Sequence, residues 1–268
     1  MIKLSYIHSK DFVYNIERSL SLIKTEVTKG LKGAKKVVVK VELPTENNKQ
    51  IIEASALEAV LAFLKPHCKN QITLVGQAQK GNTLDLFKNL GYLEFQDSYD
   101  FAITDLNDDE LIKSQEEDLL ISSTILQSDF LVLLSKPLII NDQFYGALPN
   151  IIRQEKQNDT GLFQKLLNKK NDDAMAIDID KIKRTFSVLK IGLSVIDAHH
   201  TLLNKNGTND VLPTNFAVAS THPVEADVLT SMCLGFDHEK VDYLKNFAPQ
   251  LSSVFVVGDD WNKYSLTQ

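Results

Sequence analysis

The chain has 268 residues, 43% of them apolar and 24% charged, with 29 basic against 35 acidic side chains and a formal net charge of −6. That balance suits a soluble globular protein able to bury a sizeable core, and its acidic excess argues against a nucleic-acid partner, which asks for a basic face. No run approaches the roughly 18 apolar residues of a spanning helix and the opening "MIKLSYIHSKDF" has no signal-peptide core, so no membrane association and a cytoplasmic location are expected.

In chain order, "SKDFVYNIERSLSLIKTEVTKG" reads as an opening helix, capped by Ser9, lined by Phe12, Ile16, Leu20 and Ile23, and ended at Gly30. "KKVVVKVEL" is a β-branched run of the kind buried in parallel sheets. A helix over "QIIEASALEAVLAFL", stopped by Pro66, leads to a strand "QITLVG"; a short helix over "NTLDLFKNLGY", closed at Gly91, leads to "DFAITDL". "DLLIS" and "DFLVLLS" read as strands separated by a turn at "STILQ".

From residue 141 to 189 the pattern turns helical, through "GALPNIIRQ", "TGLFQKLLNK" and "IDIDKIKRTFSVL", and contains no strand signal. Strands return at "IGLSVIDA" and "NFAVAS", with the asparagine-rich "LLNKNGTNDVLPTN", 202–215, between them as one long polar loop. Helices at 224–234 and over "EKVDYLKNF", then a strand "SSVFVVG", complete the chain. Strands alternating with helices predict an α/β fold: a largely parallel or mixed sheet of about eight strands flanked by helices. Residues 1–268 read as a single domain, with 141–189 as a helical insertion or subdomain.

The two cysteines, Cys68 and Cys233, both sit among apolar neighbours. They are too few for a disulfide framework or for the four thiolates of an iron–sulfur cluster. A basic cluster at Lys165, Lys169 and Lys170 runs straight into Asp172 and Asp173 and reads as a solvated helix end. No G-x-G-x-x-G follows "VVVKVEL", "GQAQKGNT" lacks Walker spacing, and G-x-S-x-G does not occur.

In open α/β sheets ligands bind beyond the carboxyl ends of strands, and two such ends are polar here. "SVIDAHH" runs out into Asp197, His199 and His200; "AVASTHP" ends in Ser220, Thr221 and His222. If the two strands are neighbours, these residues gather on one rim beneath the 202–215 loop. Alternation along a strand puts Asp197 and His199 on one side and His200 on the other. Imidazole and carboxylate together are a weak metal-ligand signal, with His199 and His200 as its candidates. Asp227 stands on the inner face of the apolar helix "VEADVLTSMCLG", where an isolated carboxylate is expensive. It either ties down a neighbouring loop through backbone amides or works as an acid–base group or ligand.

Several stretches together resemble the family catalogued as domain of unknown function 362. They are "VVVKVEL" at 37–43, "SKPLII" at 135–140, "YGALPN" at 145–150, "VIDAHH" at 195–200, "NKNGTND" at 204–210, "STHPVEAD" at 220–227 and "LGFDHEK" at 234–240. The resemblance spans about residues 36–250 and points to Lys136, Asn150, Asp197, Ser220, Pro223 and Asp227. It implies catalytic candidates at Asp227, Lys136 and Asp197 and ligand contacts at Asn150, Ser220 and His222. The chain also departs from the family pattern: a lysine and a histidine are replaced by Leu138 and Ile140, a further lysine by Pro149, and an aspartate by His222. The ferredoxin-like cysteine clusters of many relatives are missing. Two readings stay open: a small-molecule- or metal-binding protein, with or without catalysis, or a divergent non-catalytic member kept as a binding or assembly module.

Overall fold

A computed structural model describes residues 2–44, 51–79, 81–114, 119–152, 179–205, 208–247 and 254–264. Twelve strands run through them: β1 Ile2–His8, β2 Val37–Val41, β3 Ile72–Gly76, β4 Phe101–Asp105, β5 Leu111–Lys113, β6 Leu120–Ser122, β7 Phe130–Ser135, β8 Leu138–Ile140, β9 Gln143–Tyr145, β10 Ile191–Lys205, β11 Thr208–Ser220 and β12 Val254–Gly258. The α-helices are α1 Phe12–Leu22, α2 Lys24–Leu31, α3 Ala54–Leu64, α4 Thr83–Asn89, α5 Gln96–Tyr99, α6 Ser123–Leu126, α7 Ile179–Val188 and α8 Pro223–Cys233. The fold is α/β, as the alternation of patterns predicts.

The main sheet has the order β12-β1-β11-β10-β7-β2-β3-β4, with β8 added to β10 and β9 to β8. Strands β4, β3, β2, β7 and β10 are mutually parallel, and β11 enters antiparallel between β10 and β1. Successive strands β2, β3 and β4 step one way across the sheet, whereas β7 lies on the far side of β2. The order therefore reverses between β2 and β7, and such a reversal opens a crevice beyond the strands' carboxyl ends.

Burial on both faces explains the unbroken apolar runs. In β2, Val37, Val39 and Val41 join one core with Ile16, Leu20, Leu57 and Leu61 of α1 and α3; Val38 faces the opposite core, with Val228 and Leu229 of α8. β7 alternates likewise, Phe130, Val132 and Leu134 on the first face and Leu131 and Leu133 on the second. That two-residue period decides which way each strand-end side chain points.

Several expected elements differ. The opening helix is two helices broken at Ile23, and its N-cap is Asp11, whose carboxylate accepts the Tyr14 amide, rather than Ser9. α2 continues past Gly30 to Leu31. "IKLSYIH", read as unstructured, is a strand inside the sheet, held by β11 and β12. "STILQ", read as a turn, contains the single-turn helix α6.

The stretch read as helical from 141 begins instead with β9, hairpinned to β8 across Asn141 and Asp142, which adopt φ of 47° and 59°. "GALPNIIRQ" gives a 3-10 segment, Leu148–Ile152, and "IDIDKIKRTFSVL" gives α7. The helix read over "TGLFQKLLNK", with the Lys165 cluster, lies outside the described residues. "EKVDYLKNF" forms two 3-10 turns, His238–Lys240 and Leu244–Asn246, rather than one helix. Among the described residues no helix is long and apolar enough to cross a membrane.

The largest correction concerns 202–215. Its described residues are not a loop but the outer half of a β10–β11 hairpin, paired from Thr201↔Leu212 to Lys205↔Thr208. Pro213 is tolerated there because β1 reaches only to Phe216, so nothing takes the missing amide hydrogen on the outer edge of β11.

A candidate site at the strand crossover

β2 and β7 end side by side, and the chain puts charge where their apolar runs stop. Continuing the alternation from Val38, Lys40 and Glu42 fall on the α8 face; continuing from Leu131 and Leu133, so does Ser135. Asn150, in the 3-10 segment covering that face, donates from Nδ2 to Glu42 Oε2 at 3.0 Å and to Ser135 Oγ at 2.9 Å. One amide thus bridges the two strands across the crossover. Asn150 is 4% exposed, and its Oδ1 has no hydrogen-bond partner among the described residues.

On the opposite face, Lys136 follows the end of β7 and Asp197 lies on the neighbouring β10. The parallel register of Ile196 with Ser135 brings them together. Lys136 Nζ stands 3.1 Å from Asp197 Oδ2, with the two side chains 5% and 1% exposed. Beyond this ion pair, Oδ2 has no hydrogen-bond partner among the described residues. Oδ1 accepts the His199 amide at 3.1 Å. The two half-sites sit on either side of one sheet crest.

A bulge between Ala198 and His200 interrupts β10, so the strict alternation expected of Asp197, His199 and His200 does not hold. The two imidazoles stand edge to face, 4.3 Å apart, and His199 also packs on Phe12. Burial foremost, then His200, lower the His199 pKa; Lys136 adds to this, while Asp197 and Glu53 oppose it. His199 Nδ1 has no hydrogen-bond partner among the described residues.

Asp227 is fully buried in α8. Its Oδ1 accepts the Ala147 amide at 2.7 Å, and its Oδ2 accepts the Leu148 amide at 3.0 Å and the Tyr243 hydroxyl at 2.9 Å. Tyr243 in turn accepts the Gly146 amide at 3.1 Å. Burial pushes the Asp227 carboxyl up to about 7 against the pull of these donors, and Glu42 adds a smaller push. Burial and the neighbouring Asp227 raise the Tyr243 phenol. Gly146 is required by the same contact: a Cβ there would lie 2.3 Å from Asp227 Oδ1. Of the two roles open to Asp227, the geometry fits the clamp on a neighbouring turn. That turn leads directly into Asn150, so Asp227 acts on the crest by positioning.

Ser220 and His222 lie elsewhere. β10 and β11 are neighbours, but antiparallel, so Ser220 pairs with Ser194 while Asp197 pairs with Ala217. The two polar ends therefore leave the sheet in opposite directions, with Ser194 and Asp197 three residues, or about 10 Å, apart along the strand. The single rim expected from sequence does not form. Ser220 Oγ accepts the His222 amide at 3.0 Å, shaping the turn into α8, which Pro223 opens. His222 is exposed.

Among the described residues no three His, Cys, Asp or Glu side chains gather as a metal site would need. Cys68 and Cys233 are free thiols, each with its pKa raised by burial. Sequence reasoning missed Glu42, Ser135 and Tyr243. For Glu42 a signal was present, since a carboxylate closing a five-residue valine-rich strand needs a partner. No protein-family model matches the chain, and no curated protein matches it.

Proposed function

We propose that this is a small-molecule-binding α/β protein whose site lies on the sheet crest where β2 and β7 end beside the middle of β10, and that it is a divergent relative of the domain of unknown function 362 family. The observation carrying this reading is a pair of buried polar clusters at the strand ends where strand order reverses, Glu42, Ser135 and Asn150 on one face and Lys136 and Asp197 on the other. All are at least nine-tenths buried. Buried polar groups cost stability unless they are paired, and sheets of this type bind ligands at such a point. Lys136, Asp197 and Asn150 make up the contact surface, and Asp227 holds the turn that delivers Asn150. A cytoplasmic setting fits the two free cysteines.

The non-catalytic reading has one specific observation in its favour. Leu138 and Ile140, standing where the resemblance expects lysine and histidine, are 1% and 2% exposed in β8 and pack into the core with Leu148 and Ile151. No proton-transfer group stands at either position, so the proposal is one of binding, not of a named reaction.

Native mass spectrometry on gently purified, untagged protein tests it, with Lys136→Met as the comparison and circular dichroism to check that both fold. A bound small-molecule mass in the native protein that is missing from the variant is expected. A bare chain that no compound in a broad metabolite panel stabilises would remove the proposal. A stoichiometric metal ion would replace it with the metal-binding reading.

A further inference from the structure

Resting on that crest reading, we infer that a proton on Asp227 switches the turn at 146–148 between two hydrogen-bonded states and so sets how firmly Asn150 bridges the crest. A direct line of contacts joins the acid to the bridge. Asp227 Oδ1 accepts the Ala147 amide at 2.7 Å, and the Ala147 carbonyl accepts the Asn150 amide at 3.2 Å. The residue gripped by the carboxylate is therefore the one that seats Asn150. Asn150 in turn carries its Nδ2 to Glu42 on β2 and Ser135 on β7.

Every hydrogen bond to Asp227 among the described residues comes from a donor. The Ala147 and Leu148 amides and the Tyr243 hydroxyl point hydrogens at it, and the Gly146 amide already occupies the Tyr243 oxygen. That cage fits a carboxylate. A carboxylic acid must set a hydrogen of its own among them, which either displaces an amide or turns the phenol's hydrogen away. One buried donor then loses its acceptor, at about 1–3 kcal/mol. Burial works against the charged form and holds the carboxyl at about 7, so the two states lie close in free energy at neutral pH.

The groups around this carboxyl couple it to the crest. Glu42, at the other end of the Asn150 bridge, pushes the Asp227 carboxyl further up, and Lys40 is buried beside Glu42 on the same face of β2. Tyr145 of β9 acts on Tyr243. β10 and β11 line this side with Ile196, Ala198, Phe216 and Val218, none of them titratable. On α8 itself Glu225 lies about 200° round the helix, and His238, Glu239 and Lys240 follow its far end. Two carboxyls joined through one turn are linked reciprocally: charge lost at Glu42 makes Asp227 the stronger acid. The bridge is tight above neutrality and slack below it.

A pH titration of ligand-free, ¹³C,¹⁵N-labelled full-length protein from about pH 5 to 9 tests this, following the Asp227 carboxyl carbon and the Asn150 side-chain amide together. Both are expected to move with one midpoint near 7, the Asn150 signals broadening on the acid side. Asp227→Asn supplies the extra hydrogen permanently and should hold the Asn150 signals at their acid position throughout. Glu42→Gln keeps an acceptor for Asn150 and should lower the shared midpoint. A carboxyl that titrates while Asn150 stays still, or that shows no midpoint in this range, would overturn the inference in the native protein alone. An Asn150 shift persisting in Asp227→Asn would do the same. With no ligand present, each of these failures leaves the binding reading standing, and that reading falls separately by an empty native mass spectrum and an unresponsive metabolite panel.

Discussion

Two aspartates are buried equally deeply in this protein, and they are compensated in different ways. Asp197 faces an ammonium on the next strand and accepts one backbone amide, from His199, whereas Asp227 is met by two backbone amides and a phenol. The first arrangement balances charge but leaves an acceptor direction open. The second fills the carboxylate's hydrogen-bonding positions yet supplies no positive charge, so the acid titrates close to neutrality. An acid compensated by a cation keeps a face for a ligand; one compensated by the backbone is part of the scaffold.

The sharpest way to break this contrast is Lys136→Met, which strands a buried carboxylate and should cost about 3–5 kcal/mol in urea unfolding. A Lys136→Met/Asp197→Leu double variant should recover most of that loss, because it removes the charge along with its partner. Asp227→Ala unpairs three donors at once and should cost about 2–4 kcal/mol. It should also broaden the Asn150 side-chain resonances if the turn is what positions them. Gly146→Ala drives a methyl group against Asp227 and should cost about 1–3 kcal/mol.

The pH dependence carries a definite sign. Asp227 has an ordinary value of 3.8 and a folded value of about 7, so across that window the folded state holds a proton the unfolded chain has lost. The contribution of Asp227 to stability is therefore fully present below 3.8 and declines as pH rises through about 7. Asp227→Asn should flatten that decline in denaturation curves taken between pH 5 and 8. The smallest effect belongs to His222→Ala. An exposed side chain at a position engaged through its backbone amide and carbonyl should change stability by less than about 0.5 kcal/mol and leave ligand binding unchanged.

The elements legible in the sequence were those with long, consistent patterns. The β2 and β7 runs, the α3 helix and the glycine closing α4 are each dictated by local chemistry. What failed was short or depended on distant partners. β9 has three residues, and its signal lay in the turn before it, where Asn141 and Asp142 suit a two-residue hairpin. The same kind of signal, Asn206-Gly207 between two extended runs, marked the β10–β11 hairpin, but the polar residues of 202–215 read as loop. A strand at a sheet's margin can be polar, because water covers what neighbouring strands do not.

For the site, sequence pointed to Lys136, Asn150, Asp197 and Asp227, and all four are buried. The contacts joining Asn150 to Glu42 and Asp227 to Tyr243 were not legible, since they span elements far apart in the chain. The direction of β11 was not legible either. Whether two neighbouring strands run parallel decides whether their ends meet, and that rests on a hairpin of only two intervening residues.

The placement of β1 carries a cost in time. It is an interior strand, yet 214 positions separate Ser5 from its β11 neighbour Ala219, and its other neighbour, β12, comes later still. A ribosome adding roughly 5–20 residues per second makes β1 wait tens of seconds for a partner on either side. During that wait an apolar strand has both hydrogen-bonding edges open, the condition under which nascent chains pair with one another. Pairing between nascent chains is therefore the hazard this topology sets during synthesis, whatever the stability of the finished fold.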